Sequence, residues 1–291
     1  STFAHGMMNA YAAVWRAALT RSDPETLIWM QTATQNASSQ GAAVARLGDV
    51  DGDGVIDFAV GAPDHDGAAG TDCGRVELRS GGTGQIIWSM EGAAAGDRFG
   101  AALAGMGDLN MDGLPDLAVG APSTMISGMI DAGRVSILSG SNGIFIRAFD
   151  GAAASEFFGS SLVSMGDLGI DGIDDLAVGA PGATVGMTAG VGRIAILSGQ
   201  DGAVISSAGG DENGGELAFG FALARAADRD GDMLPDLLVG APASLYGGTD
   251  SGGMAMIGSQ SGLRLGTIQG TSPNDRLGHA VATWGDQTGD G

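Results

Sequence analysis

The chain has 291 residues with 54 glycines, yet 44% of it is hydrophobic, which is too apolar for a disordered linker and lacks the strict triplet period of collagen. It carries 34 acidic against 13 basic residues, all of the latter arginine, for a net charge of −21, so nucleic acid and anionic membrane are poor partners for the bare chain. One cysteine, Cys73, excludes an internal disulfide framework and a Cys-based zinc cluster, and no apolar run has the length of a membrane span.

Residues 7–19 (MMNAYAAVWRAAL) have the composition of an Ala-rich helix, but Trp29 precedes Trp88 by 59 residues and Arg16 precedes Arg75 by 59. That registration favours two outer strands over 16–33. The main signal begins at Leu47–Pro63, LGDVDGDGVIDFAVGAP. It returns as MGDLNMDGLPDLAVGAP (Met106–Pro122), MGDLGIDGIDDLAVGAP (Met165–Pro181) and AADRDGDMLPDLLVGAP (Ala226–Pro242), and a fifth copy opens at Trp284. The leading aspartates, Asp49, Asp108, Asp167, Asp228 and Asp286, are spaced by 59, 59, 61 and 58 residues.

Each period also contains an apolar segment opened by Phe-Gly or Leu-Gly (Phe99-Gly100, Phe158-Gly159, Phe219-Gly220, Leu277-Gly278). After Gly-Ala-Pro come a polar loop, a strand such as Gly74-Arg75-Val76, a Ser-Gly turn at 80–81, 139–140 and 198–199, and a last short strand. Four short segments per period, punctuated by Gly, Asp and Pro, predict four antiparallel strands and so a β-propeller blade of about 59 residues. The small run Ala101–Ala104 suits the crowded innermost strand. The expected organisation is an all-β, single but incomplete propeller over 1–291. Its blades are placed at 41–95, 99–152, 158–210 and 219–270, with partial blades at 16–33 and 277–291, as in a fragment of a longer ring.

Counting each loop from its first aspartate, positions 1, 3, 5 and 9 offer side-chain oxygens. They are Asp49, Asp51, Asp53 and Asp57 in the first loop, Asp108, Asn110, Asp112 and Asp116 in the second, and Asp228, Asp230, Asp232 and Asp236 in the fourth. The third supplies Asp167, Asp171 and Asp175, with Gly169 at position 3. Main-chain carbonyls at position 7 (Val55, Leu114, Ile173, Leu234) add a donor, and Gly54, Gly113 and Gly172 at position 6 allow the turn, which Met233 must make in the fourth copy. Several carboxylates on one short loop repel each other unless a cation is present, and this hard, flexible oxygen set suits Ca2+ better than Mg2+. About four calcium sites are expected. Position 12 is valine in all four loops (Val60, Val119, Val178, Val239), which excludes an EF-hand.

These motifs resemble the FG-GAP repeat of the integrin α-subunit N-terminal propeller, over residues 16–291. The resemblance implies a seven-bladed ring filled only partly by this chain, with calcium in the hairpin between the first and second strands. It further implies an extracellular or cell-surface adhesion module whose protein or glycan ligand approaches the opposite face. That face would be formed by loops 64–73, 123–132, 182–191 and 243–251 together with 91–98, 150–157, 209–218 and 271–276. No catalysis, nucleic-acid binding or direct membrane insertion is expected. The rival readings are a non-catalytic accessory propeller of a secreted enzyme and a structural spacer. His65 reads as a solvated loop residue, His279 as a strand residue, Cys73 as a buried thiol, and the 13 methionines mostly as core.

Overall fold

A computed structural model describes residues 38–211 and 215–283. The expected outer strands at 16–33 and the fifth acidic loop from Trp284 lie outside the described residues.

Sixteen strands form four antiparallel sheets of four, each in simple sequential order. The first contains β1 (Ala43–Gly48), β2 (Asp57–Ala62), β3 (Arg75–Arg79) and β4 (Ile86–Glu91). The second contains β5 (Ala102–Gly105), β6 (Leu117–Ala121), β7 (Arg134–Leu138) and β8 (Phe145–Asp150). The third runs through β9 (Ser161–Gly166), β10 (Asp175–Ala180), β11 (Arg193–Leu197) and β12 (Val204–Gly209), and the fourth through β13 (Ala222–Arg225), β14 (Leu237–Ala241), β15 (Gly253–Ile257) and β16 (Arg264–Gln269). The leading strands lie side by side, β1 against β5, β5 against β9 and β9 against β13. These are blades of a β-propeller, and Ala102–Ala104 occupies the innermost strand as its small side chains predict.

The blades share their cores. Val76 and Leu78 of β3 pack with Leu117 and Val119 of β6. One repeat later Val135 and Ile137 meet Leu176 and Val178, and then Ile194 and Ile196 meet Leu237 and Val239. Alternation along β3, β7 and β11 sends every second side chain toward the next blade.

The two glycine motifs have one joint cause. Within a blade, the amide of the Phe-Gly glycine donates to the carbonyl of the Gly-Ala-Pro glycine, at 2.9 Å for Gly100 to Gly120 and 3.0 Å for Gly159 to Gly179. Between blades, a Cβ on Gly61, Gly120, Gly179 or Gly240 would collide with the carbonyl oxygen of Gly100, Gly159, Gly220 or Gly278. Adjacent blades therefore touch backbone to backbone at this point, while Phe99, Phe158 and Phe219 bury their rings beside it. Farther out, Trp88 Nε1 donates to the carbonyl of Gly140 (2.7 Å), Arg147 to that of Gly199 (2.7 Å), and the Ser206 hydroxyl to that of Ser259.

Candidate metal centres

Each acidic loop joins the first strand of a sheet to the second, so the antiparallel topology places all four at the same end of the blades. The aspartate at position 9 is its anchor. Asp57, Asp116, Asp175 and Asp236 have no exposed surface. Asp57 accepts the amides of Val50 (2.7 Å), Asp51 (3.2 Å) and, across the sheet, Gly81 (2.9 Å). Asp116 repeats this with Leu109, Asn110 and Gly140, and Asp175 with Leu168, Gly169 and Gly199. Burial pushes all four carboxyls above the usual carboxylate range, against the lowering effect of these amides.

The aspartate at position 1 closes the turn. Asp49 accepts the amides of Gly52 (2.8 Å) and Gly54 (2.9 Å), and Asp228 makes the corresponding pair with Gly231 and Met233, whereas Asp108 accepts from Asp112 and Gly113 and Asp167 from Asp171 and Gly172. For Asp228, the amides of Gly231 and Met233 hold the carboxyl below its ordinary value. Position 5 accepts the amide of position 7, as Asp53 does from Val55 (2.7 Å), Asp112 from Leu114, Asp171 from Ile173 and Asp232 from Leu234. The main chain thus engages both oxygens of the position-1 acids and of Asp57, Asp116 and Asp175, but only one oxygen of the position-5 acids, leaving the other without a main-chain donor.

How the carboxylates group differs from loop to loop. Carboxylate oxygens of Asp49, Asp51 and Asp53 lie within 4.8 Å of one another, and so do those of Asp228, Asp230 and Asp236. In the fourth loop Asp236 Oδ1 is buried, and the Ser259 amide beside this carboxyl takes the place that Gly81, Gly140 and Gly199 have in the other loops. In the second loop the charge is met by donors instead: the Asn110 amide (3.0 Å) and the hydroxyls of Ser139 (3.1 Å) and Ser141 (3.0 Å) all reach Asp112, and Asn110 leads in holding that carboxyl low. In the third, Gly169 contributes only its amide to Asp175, and Asp174 turns away to the Gly107 amide (3.0 Å) and Ser164 hydroxyl (3.1 Å). An all-oxygen, carboxylate-rich set converging within 4.8 Å fits a hard divalent cation, best in the first and fourth loops.

Sequence reasoning missed the turn before β4 as part of these sites, although the recurring Ser-Gly was its signal. Of the other singled-out residues, the two histidines and several methionines need correction. His65 is buried, not solvated, with Nε2 3.4 Å from Glu91 Oε1. His279 sits in a bend rather than a strand, its ring tilted against Phe221 at 5.0 Å. Cys73 is a buried free thiol as expected. Among the methionines Met106 and Met165 are core, whereas Met111, Met125, Met187 and Met233 are exposed.

The FG-GAP repeat family model matches residues 99–138, from the Phe-Gly step through the second acidic loop to the end of β7. Integrin alpha-PS2 of Drosophila melanogaster is 31% identical over 244 residues, 78% of this chain and 17% of that protein. Integrin alpha-V of Gallus gallus is 32% identical over 237 residues, 72% of this chain and 21% of that protein. The chain is an FG-GAP repeat protein.

Its likeness to the integrin α propeller extends over most of its length, but it spans only about a fifth of those relatives. The chain is also similar to a protein named as an enzyme. Phosphatidylinositol-glycan-specific phospholipase D of Bos taurus is 31% identical over 192 residues, 61% of this chain and 22% of that protein.

Proposed function

We propose that this FG-GAP propeller is a calcium-stabilised interaction module that works outside the cell or at its surface. The observation that carries the reading is the convergence of Asp49, Asp51 and Asp53, and of Asp228, Asp230 and Asp236, within 4.8 Å on loops of the same design. Clustered carboxylates of this kind repel each other in the bare protein, and a cation converts the repulsion into a cross-link between the first two strands of a blade. The donors would be Asp49, Asp51, Asp53, Asp57 and the Val55 carbonyl, with their counterparts in the other three loops, the second and third binding more weakly. At about 1 mM calcium and a Kd of ~10⁻⁴ M each filled site adds roughly 1.4 kcal/mol, a gain absent at cytosolic calcium. The integrin relatives support adhesion as the task, with a protein or glycan ligand on the face opposite the acidic loops. Blades bounded as read from the repeat, within one domain, complete this reading.

Thermal unfolding in millimolar calcium and again in excess chelator tests it. The expected result is a Tm higher by several degrees in calcium and little changed by magnesium, with Asp51→Ala and Asp230→Ala each removing part of the gain. Equal Tm values in the two buffers would sink the cation reading and leave the propeller untouched. The phospholipase D relative supports a second reading, a non-catalytic propeller attached to a secreted enzyme. It predicts that this segment alone hydrolyses no glycolipid yet raises turnover when joined to a catalytic domain.

A further inference from the structure

Position 8 of the acidic loops is Ile56, Pro115 and Pro235 in three copies and Asp174 in the third. Asp174 adds a carboxylate to the loop that has Gly169 in place of a position-3 donor, yet its side chain serves another blade. Its Oδ2 accepts the amide of Gly107 in the second blade (3.0 Å) and the hydroxyl of Ser164 on β9 (3.1 Å). The carboxylate fills the place where a side chain at residue 107 would begin. A Cβ there would lie 3.2 Å from Asp174 Cγ and 3.3 and 3.4 Å from its two oxygens.

Gly107 closes the base of the second loop. It is bonded directly to Asp108 at position 1, and its carbonyl accepts the amide of Asp116 at position 9 (3.1 Å), while the Met106 amide donates to the Asp116 carbonyl (2.8 Å). The two ends of loop two therefore meet at one residue, and Asp174 holds that residue from the next blade. The corresponding contacts at the neighbouring joints differ in kind. A Cβ on Gly48 would meet the ring of Pro115 at 2.8 Å, and one on Gly166 would meet the Arg225 guanidinium at 3.3 Å. Neither of those side chains can accept a hydrogen bond from a loop base.

We infer that Asp174 is a positioning residue of the second cation loop, supplied by the neighbouring blade; the inference rests on the cation reading above. A cation in loop two needs the oxygens of Asp108 and Asp116 at a fixed separation. Hydrogen bonds from partners behind the ligands set their orientation and so tune the affinity of a metal site. By accepting the Gly107 amide, Asp174 fixes the residue that joins Asp108 to Asp116, so less ordering is left to be done when the ion arrives.

The test is calcium titration by calorimetry of the whole chain carrying Asp51→Ala, Asp171→Ala and Asp230→Ala, which leaves the second loop with its full donor set. A companion background, with Asp112→Ala in place of Asp51→Ala, leaves the first loop instead. Adding Asp174→Ala should weaken calcium about tenfold at the second loop, the lower end of what losing a ligand's hydrogen-bond partner costs a metal site, and leave the first loop unchanged. Asp174→Asn keeps an acceptor oxygen for the Gly107 amide and should stay within about threefold of the background. Unchanged second-loop affinity in Asp174→Ala would overturn the inference. An equal loss at both loops would overturn it too, as general destabilisation. Asp174→Asn binding as weakly as Asp174→Ala would make the effect one of charge, which also overturns positioning. Calcium uptake by the first-loop background alone would overturn the inference and leave the cation reading standing. Uptake by neither, with a wild-type Tm indifferent to calcium, would overturn both.

Discussion

Asp116 has no exposed surface and accepts three main-chain amides, two from its own loop and one from the turn that begins the outer hairpin. Its carboxylate gathers three chain segments about one point, a structural task independent of any cation. Replacing it with alanine leaves those three buried donors unpaired, each worth about 1–3 kcal/mol, partly returned by removing a desolvated charge. Asp116→Ala should lose about 3 kcal/mol in denaturant unfolding carried out in chelator, and Asp116→Asn should lose less because one acceptor oxygen remains. A loss confined to calcium-containing buffer would instead make Asp116 purely a ligand. The spacing of the loop acids was legible in the sequence, but their division of labour was not. Positions 1, 3, 5 and 9 all read as equivalent oxygen donors, whereas burial makes position 9 the anchor. Which oxygens an amide already occupies depends on where the Ser-Gly turn folds in space, and that is set by tertiary contact rather than by loop composition.

At the level of strands, the repeat was legible because the same physical demand recurs each period: apolar alternation for β3, β7 and β11, small residues for the inner strands, glycine where blades touch. The outer-edge latch was not. Trp88, Arg147 and Ser206 occupy equivalent places in β4, β8 and β12 and each donates to a carbonyl of the next blade, yet an indole, a guanidinium and a hydroxyl share no visible pattern. Only the donor function is conserved from blade to blade. Trp88→Phe keeps most of the ring packing against Gly143 and removes the N–H, leaving the Gly140 carbonyl without that donor. It should lower stability by about 1 kcal/mol and speed amide exchange in the turn at 139–143 more than in β2. Equal exchange in the turn of wild type and variant would show that the latch contributes nothing to holding the two outer edges together.

Over the whole molecule, the position of the cores decides how unfolding spreads. The apolar clusters lie between blades, so a blade removed from its neighbours would expose half of two cores, and stability resides mainly in nearest-neighbour contacts, as in other repeat arrays. Phe219 probes this because it is fully buried in the cluster that joins β11 of the third blade to β14 of the fourth, and Arg264 lies over its ring at 5.2 Å. Phe219→Ala should cost about 3–5 kcal/mol, the range for truncating a buried aromatic ring. The loss should also be unevenly distributed: amide protection falls in β11, β14 and β15, while β3 and β6, whose shared core involves none of the same side chains, exchange nearly as before. Native-state hydrogen exchange separates the outcomes. A uniform fall across all four sheets would mean that the blades unfold as one unit, and that the backbone contacts between Phe-Gly and Gly-Ala-Pro glycines transmit the damage from blade to blade. A graded fall would place the coupling in the side-chain cores, and a cation filling the first loop would then stabilise its own blade and the second far more than the fourth.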